Sequence, residues 1–327
     1  MRRRDIGKLM CVALAGASGA VRAQPARMRR IGFLSLFSHS DPPSPERQAF
    51  IAGLAERGLV VGKNLEIVYA SAEGVVEFLD DVARDLAAKR VEVIATTAAL
   101  VPVVMRVAPT MPVVMLAVGD PVGLKLVASL ARPGGNVTGM SFNSSDLAPK
   151  RVQLLQELVP SVKRLAVLFD TRNGNARLEG AAVEAAARKL GLTPVQLGFE
   201  DDRSLTAALG RVVAQKADAF YAAFEGTIVA RRRHEIAEFS LARKLPAVAG
   251  YSPLAEAGCL LSYAADLAAV FRRSADFVYR ILAGAKPAQL PVEQADRFEL
   301  VVNMATARRI GVAIPQSFLL RIDRVIE

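Results

Sequence analysis

The stretch MPVVMLAVGDPVG, residues 111–123, joins a short apolar run to a turn that carries one acid, Asp120. Seven apolar residues ended by Gly and Pro are typical of a buried strand in a parallel sheet, because a buried helix needs a longer run. Asp120 and Pro121 suit the N-cap and first turn of a helix over residues 122–130. The carboxylate could instead pair with a ligand amine. A catalytic role lacks a second carboxylate at a defined spacing.

The same alternation of apolar runs and helical patterns recurs on both sides of this stretch. Among the strand candidates are residues 31–36, 65–69, 91–95, 137–141 and 298–303. Helices are predicted over 45–57, with Ser44 as the N-cap, over 228–244, and over 267–282, which is amphipathic. Two successive runs of this kind predict an α/β protein with two doubly wound parallel-sheet lobes. In such sheets ligands bind beyond the carboxyl ends of the strands.

The composition allows two packed lobes, because 52% of the 327 residues are hydrophobic. The formal net charge is +10, but residues 1–23 hold five basic and one acidic side chain, which leaves +6 for the rest. The densest basic run, residues 231–234, has Glu235 and Glu238 beside it and is typical of a solvated helix face. No basic helix or nucleic-acid-binding motif occurs, so nucleic acid is not an expected partner.

The first 23 residues have the pattern of a secretory signal. Paired arginines and a lysine precede a small-residue apolar run over 9–21, and the sequence then offers a small-x-small cleavage site ending at Ala23. The paired arginines indicate the twin-arginine route. The run is too short to span a bilayer permanently. We therefore predict a twin-arginine-like signal peptide (1–23), cleaved near Ala23, and a periplasmic chain.

The loops that follow the predicted strands are where ligand contacts are expected. The loop over 35–41 holds Ser, His and Asp, but three neighbours on one loop cannot easily set a nucleophile, a base and an orienting group in line, and no GxSxG motif is present. Ligand contacts or a solvated loop are the alternatives. Thr96 and Thr97 precede a helix, where hydroxyls and backbone N–H groups suit a ligand carboxylate or a simple N-cap.

Sequence motifs for metal and cofactor chemistry are absent. The two histidines form no HxxxH or HExxH motif, the two cysteines form no CxxC motif, and neither GxGxxG after the first strand nor a P-loop lysine occurs. Cys259, which lies in an apolar stretch, is interpreted as a small buried hydrophobe. We predict no metal site, no cofactor and no enzymatic activity.

The longer motif GDPVGLKLVASLARPGGNVTG, residues 119–139, resembles a signature of bacterial ABC-transporter substrate-binding proteins, the family that includes tryptophan- and tyrosine-uptake receptors. Residues 58–74, 150–170, 184–192, 231–266 and 283–327 fit the same family. The resemblance implies a type I periplasmic binding fold, in which two α/β lobes close over a small-molecule ligand. It also implies that the loaded receptor docks on an ABC permease with a cytoplasmic ATPase.

The resemblance divides the chain into an N-terminal lobe (29–140 plus 265–297) and a C-terminal lobe (141–264 plus 298–327). It places the ligand-binding cleft at a set of strand-end and hinge residues: Phe37, Ser38, Thr96, Thr97, Asp120, Ser141, Phe142, Asn143, Asn173, Phe224, Glu225, Tyr251 and Asp266. Two segments at this cleft depart from the family pattern, residues 96–99 and 223–226. They put the ligand's identity in question.

The function implied is a monomeric uptake receptor for a small amino-acid-like or aromatic carboxylate ligand. Hydroxyls and helix N-termini would hold the carboxylate, Asp120 or Glu225 the amine, and Phe37, Phe224 and Tyr251 the side chain. The alternative is a ligand-sensing module that presents its ligand state to a membrane sensor or chemoreceptor.

Overall fold

The computed structural model describes residues 28–39, 43–223 and 227–327. The predicted signal peptide lies outside the described residues. The strands are β1 Arg29–Ser35, β2 Leu65–Ser71, β3 Ile94–Thr96, β4 Val113–Val118, β5 Val137–Ser141, β6 Arg164–Asp170, β7 Thr193–Phe199, β8 Ala219–Ala222, β9 Ala247–Ala249, β10 Leu261–Ala265, β11 Glu293–Gln294, β12 Phe298–Asn303 and β13 Arg324–Ile326.

The helices alternate with these strands along the chain. They are α1 Pro45–Glu56, α2 Leu79–Ala88, α3 Val101–Val107, α4 Ser144–Leu158, α5 Gly174–Lys189, α6 Asp202–Ala214, α7 Thr227–Arg231, α8 Arg233–Ala242, α9 Ser252–Ala257, α10 Leu267–Leu282, α11 Met304–Ile310 and α12 Gln316–Leu319. In the described part of the chain, none of them is long and apolar enough to cross a membrane.

Two sheets organise the molecule. The six-stranded sheet has the order β11-β5-β4-β3-β1-β2, and the seven-stranded sheet has the order β13-β12-β10-β9-β8-β6-β7. Pairing is parallel except between β10 and β12. We call the six-stranded sheet with its helices the first lobe and the seven-stranded sheet with its helices the second lobe. The predicted fold class, two doubly wound parallel-sheet lobes, is confirmed.

Helix α10 belongs to the first lobe although it follows a strand of the second. It packs on α1, β4 and β5, and the buried Ser274 hydroxyl donates to the Leu116 carbonyl at 2.8 Å. The chain therefore passes between the lobes three times: after β5, after β10 and between β11 and β12.

Two predicted helices differ from the structure. Residues 122–130 form turns and bends, because Lys125 adopts φ +57°. The Asp120 Oδ1 atom still accepts a hydrogen bond from Gly123 N at 2.7 Å, as an N-cap would, but only a single turn follows it. The single helix predicted over 228–244 is two helices, α7 and α8, which meet at Arg232.

A buried ionic network anchors the second lobe beside the crossovers. Arg151 on α4 forms a 2.8 Å ion pair with Glu179 on α5, and both side chains are fully buried. The Tyr221 hydroxyl donates to Glu179 at 2.7 Å. Arg151 also donates to the carbonyls of Ser144, at 3.0 Å, and Tyr263, at 2.6 Å, so that one side chain ties the start of α4 to β10.

Cys259 is a free thiol, fully buried in the second lobe. Its burial raises the pKa of the thiol to about 12. The interpretation of this residue as a small buried hydrophobe is confirmed.

Candidate functional site

A cavity of about 390 Å³ lies between the lobes, at the carboxyl ends of β1, β3 and β4 in the first lobe and β6 and β9 in the second. This is the position expected for ligands in open α/β sheets. Its lining is rich in aromatic rings, which both lobes contribute: Phe33, Phe37, Phe142, Tyr251 and Phe271.

The first turn of α1 brings charge to this apolar lining. Arg47 is 9% exposed and lines the cavity together with Glu46, its half-buried neighbour. The Ser44 hydroxyl accepts a hydrogen bond from Arg47 N at 3.3 Å, which confirms Ser44 as the N-cap of α1. The Arg47 Cζ atom lies 5.5 Å from the centroid of the Tyr69 ring, so that the guanidinium is held against an aromatic surface.

His39 packs in an aromatic cluster at the edge of the cavity. Its ring centroid lies 4.7 Å from that of Tyr69 and 5.6 Å from that of Phe33. Burial lowers the pKa of His39, and the positive charge of Arg47 lowers it further. A hydrogen bond to the backbone of Ala70 and the carboxylate of Glu73 act in the opposite direction. The neutral imidazole is therefore favoured.

The loop after β1 is held by hydrogen bonds within the first lobe. The Ser35 hydroxyl donates to the Phe37 carbonyl at 2.5 Å. The Ser38 and Ser71 hydroxyls both donate to the Glu73 carboxylate, and these bonds lower the pKa of Glu73. These hydrogen bonds therefore fix the position of the loop that carries Phe37, which lines the cavity.

The second lobe closes the cavity with Asn173 and Tyr251. The Asn173 Oδ1 atom caps α5, accepting hydrogen bonds from Asn175 N at 2.9 Å and Ala176 N at 3.3 Å. Tyr251 precedes α9, and its burial raises the pKa of the phenol to about 12. The phenol is therefore neutral at physiological pH and can both donate and accept a hydrogen bond.

Six of the predicted ligand-binding residues line this cavity: Phe37, Ser38, Thr97, Phe142, Asn173 and Tyr251. The neighbouring Thr96 is fully buried, and its hydroxyl donates to the Leu34 carbonyl at 2.9 Å, so that it joins β3 to β1. Thr97 makes no helix-capping hydrogen bond with its side chain, and it is exposed. Thr97 is thus the one of the two threonines that lines the cavity.

Three further predicted residues, Asp120, Ser141 and Asn143, line a separate cavity of about 140 Å³ near the hinge. Ser141 donates to the Gly119 carbonyl at 3.2 Å, and the Asn143 Oδ1 atom accepts from Gln294 at 2.7 Å. Internal hydrogen bonds thus occupy these polar atoms. The residues at the carboxyl ends of β4 and β5 are thus divided between the two cavities, since Ala117 and Phe142 line the larger one and Asp120, Ser141 and Asn143 the smaller one.

Asp266 is not among the residues that line the larger cavity, although its neighbour Leu267 is. Its Oδ1 atom caps α10, accepting a hydrogen bond from Ala269 N at 3.0 Å. Phe224 and Glu225, the remaining predicted residues, lie outside the described residues. Within the described part of the chain, no three His, Cys, Asp or Glu side chains are grouped to hold a metal ion.

Arg47, Glu46, Phe33 and Phe271 line the cavity but were not singled out by the sequence. A signal for Arg47 and Glu46 existed. The helix that follows the first strand of a doubly wound sheet begins at the carboxyl edge of that sheet, so the residues after the Ser44 N-cap face the cleft. Phe271 reaches the site on a helix that follows the second crossover, which local sequence does not reveal.

The family model described as ABC transporter substrate binding protein matches residues 31–326. The chain belongs to this family of ABC transporter substrate-binding proteins. The predicted resemblance is therefore confirmed, and it extends over nearly all of the described residues.

Solved structures and a curated protein are similar to this chain. A crystal structure of a conserved domain protein from Vibrio cholerae is 28% identical, with a TM-score of 0.85 over 91% of this chain and 100% of that one. A Streptococcus pneumoniae structure in complex with L-Trp is 27% identical, with a TM-score of 0.84 over 91% and 99%. The tyrosine-binding protein of Clostridioides difficile is 24% identical over 290 residues, 88% of this chain and 82% of that protein.

Proposed function

We propose that this chain is the exported, periplasmic receptor of an ABC importer, and that it binds a small amino-acid-like or aromatic carboxylate between its lobes and delivers it to a membrane permease. The observation that carries the proposal is the buried Arg47 side chain in a cavity whose lining also holds five phenylalanine and tyrosine rings. Such a site suits a ligand with a carboxylate at one end and a ring at the other.

The carboxylate of the ligand is assigned to Arg47, with the Thr97 hydroxyl as a second donor. A guanidinium binds a carboxylate through charge-assisted hydrogen bonds, which are about twice as strong as neutral ones. Burial of Arg47 excludes much of the competing water. The start of α1 adds the positive end of a helix dipole on the same side of the cavity.

The ring of the ligand is assigned to the aromatic walls. Phe33, Phe37 and Phe271 come from the first lobe and Tyr251 from the second, so a ring between them contacts both lobes. Offset and edge-on ring contacts stabilise such a pair beyond simple burial of apolar area. A cavity of about 390 Å³ is in the range of small-molecule sites.

An amine, where the ligand has one, is assigned to Glu46 among the described residues that line the cavity. Asp120, predicted for this role, lies in the smaller cavity, and its carboxylate accepts the Gly123 N–H. Glu225 remains a prediction. The L-Trp complex and the tyrosine-binding relative support an amino acid as the ligand.

The first test uses the absence of tryptophan from the chain. Fluorescence of added L-tryptophan then reports binding without a protein background. Purified residues 24–327 would be titrated with L-tryptophan and compared in thermal unfolding with L-tyrosine, 4-hydroxyphenylacetate and a sugar. A ligand at 100 times its Kd adds about 2.7 kcal/mol of stability. No response to any aromatic carboxylate contradicts the proposal.

The second test replaces Arg47, the residue to which the ligand carboxylate is assigned. Arg47→Gln should weaken binding of the responding ligand about 10- to 150-fold, since it removes hydrogen bonds to a charged group. Arg30→Gln is the matched control, because Arg30 on β1 pairs with Glu66 at the surface, away from the cavity. Equal affinities for the two variants would show that Arg47 does not hold the carboxylate.

The importer role needs a test in cells. Deletion of the gene should abolish high-affinity uptake of the radiolabelled ligand, and the unaltered gene should restore it while the Arg47→Gln variant does not. Binding in solution with unchanged uptake would favour the ligand-sensing alternative.

A further inference from the structure

A contact beside the cavity joins Phe37 of the first lobe to Arg231 of the second. The Arg231 Cζ atom lies 5.8 Å from the centroid of the Phe37 ring, within the range of a cation–π interaction. Phe37 and Ala230 line the cavity, whereas Arg231 lies outside the lining. The contact therefore lies at the border of the cavity, next to Ala230.

The guanidinium of Arg231 is oriented by its own lobe. Its Nη2 atom donates to both carboxylate oxygens of Asp202, at 2.7 and 2.9 Å. Asp202 is the first residue of α6, and Arg231 is the last residue of α7. Arg232 approaches the same carboxylate at 3.4 Å and pairs with Glu235, but its contacts remain within the second lobe.

The ring of Phe37 is likewise positioned by the first lobe alone. Gly74 N donates to the Leu36 carbonyl at 2.8 Å, which holds the turn after β2 against the loop after β1. Gly74 has φ +85°, and a β-carbon at this position would lie 2.9 Å from the Phe37 Cε1 atom. The turn therefore supports the ring closely, and the Ser35 hydroxyl holds the Phe37 carbonyl.

We propose that Phe37 and Arg231 form a clasp between the lobes, and that Arg231 is an affinity-determining residue although it lies outside the cavity. This inference rests on the proposed function, because it concerns the closure of the same site. Each half is held within its own lobe, so little further side-chain entropy is lost when they meet. The pair forms only when the lobes approach, so it stabilises the closed form alone and slows ligand dissociation.

The kinetic test uses L-tryptophan as the probe. Arg231→Gln should raise the dissociation rate about two- to fivefold and change the association rate little. Arg232→Gln is the matched control, since it removes the same charge and a contact with the same Asp202 carboxylate. In a Phe37→Leu background, Arg231→Gln should have no further effect, which separates the contact from the role of Phe37 in the lining.

A ligand-free measurement keeps the clasp testable if L-tryptophan does not bind. Spin labels on Glu77→Cys and Arg203→Cys, both exposed, would report the distance between the lobes, because Cys259 is buried and does not take the label. Arg231→Gln should reduce the short-distance population and Arg232→Gln should not.

Failure of L-tryptophan to bind counts against the proposed ligand class only. A distance distribution unchanged by Arg231→Gln, or a dissociation rate equal to that of Arg232→Gln, overturns the clasp.

Discussion

The backbone N–H of Asp120 donates to the Asn175 Oδ1 atom across 2.8 Å, which joins the loop after β4 in the first lobe to the first turn of α5 in the second. The approach is close enough to require glycine beside it. A β-carbon on Gly119 would lie 2.7 Å from the Ser144 Oγ atom and 2.9 Å from Asn175 Oδ1. The Asp120 backbone thus contributes to the contact between lobes, while its carboxylate closes a local turn.

This arrangement predicts different outcomes for two substitutions. Asn175→Ala removes the acceptor and should weaken L-tryptophan binding about three- to tenfold, as expected for one net hydrogen bond. Asp120→Asn retains the backbone N–H and should leave the Kd within about twofold. Fluorescence titration measures both. A large loss for Asp120→Asn alone would instead place its carboxylate in contact with the ligand.

Replacement of Gly74 should disturb both stability and binding. An alanine there has the cost of a left-handed backbone, about 1–2 kcal/mol, and also meets the Phe37 ring. Gly62→Ala is the matched control, because Gly62 has φ +79° and nothing within 4 Å of its β-carbon position. Urea unfolding should show the larger loss for Gly74→Ala, and only this variant should bind L-tryptophan more weakly. Equal effects would contradict close support of the ring.

Histidine 39 should make the stability depend on pH. Its folded-state pKa lies below the unfolded value of about 6.5, so the unfolded chain binds more protons between the two pKa values. The free energy of unfolding should therefore fall as the pH is lowered through 6.5 and level off below the folded pKa. His39→Gln should reduce this slope in urea unfolding between pH 5 and 8. His234→Gln, at an exposed position on α8, is the control, and equal slopes for all three proteins would refute the assignment.

The Arg151–Glu179 pair should be costly to break. Glu179→Gln leaves a fully buried guanidinium without its anion and should lower the free energy of unfolding by about 3–5 kcal/mol. Glu184 lies on the same helix and pairs with Arg188 at the surface, so Glu184→Gln should cost about 0.5 kcal/mol or less. Chemical denaturation of both variants provides the comparison. Similar losses would mean that burial of the pair contributes little.

The sequence predicted those elements whose signals are local. The bounds of α10 and β12 match the prediction, because a strong apolar periodicity and a short apolar run each mark their element. The prediction of a helix after Asp120 was wrong, for a local reason that the sequence pattern did not show. The left-handed backbone of Lys125 interrupts the helix there, although Asp120 makes the side-chain hydrogen bond of an N-cap.

The site was less predictable than the fold. The start of α1 at the carboxyl edge of the sheet was a signal for Arg47, but the sequence does not show that its side chain is buried and packs against Tyr69. Thr96 and Thr97 are identical and adjacent in sequence. Thr96 ends β3 and its hydroxyl bonds to β1, whereas Thr97 lies beyond the strand and lines the cavity, and this difference depends on where β3 ends.

The carbonyls bound by Arg151 have a mechanical consequence. Ser144 stands just beyond the first crossover, and Tyr263 lies just before the second. The Arg151 side chain therefore links the chain near both crossovers to one point. We expect the lobes to open by rotation about a single hinge axis near this point. Twisting or sliding of the lobes would strain this anchor. Substitution of residues that pack around Arg151 should thus change the opening angle between the lobes without altering any group that contacts the ligand.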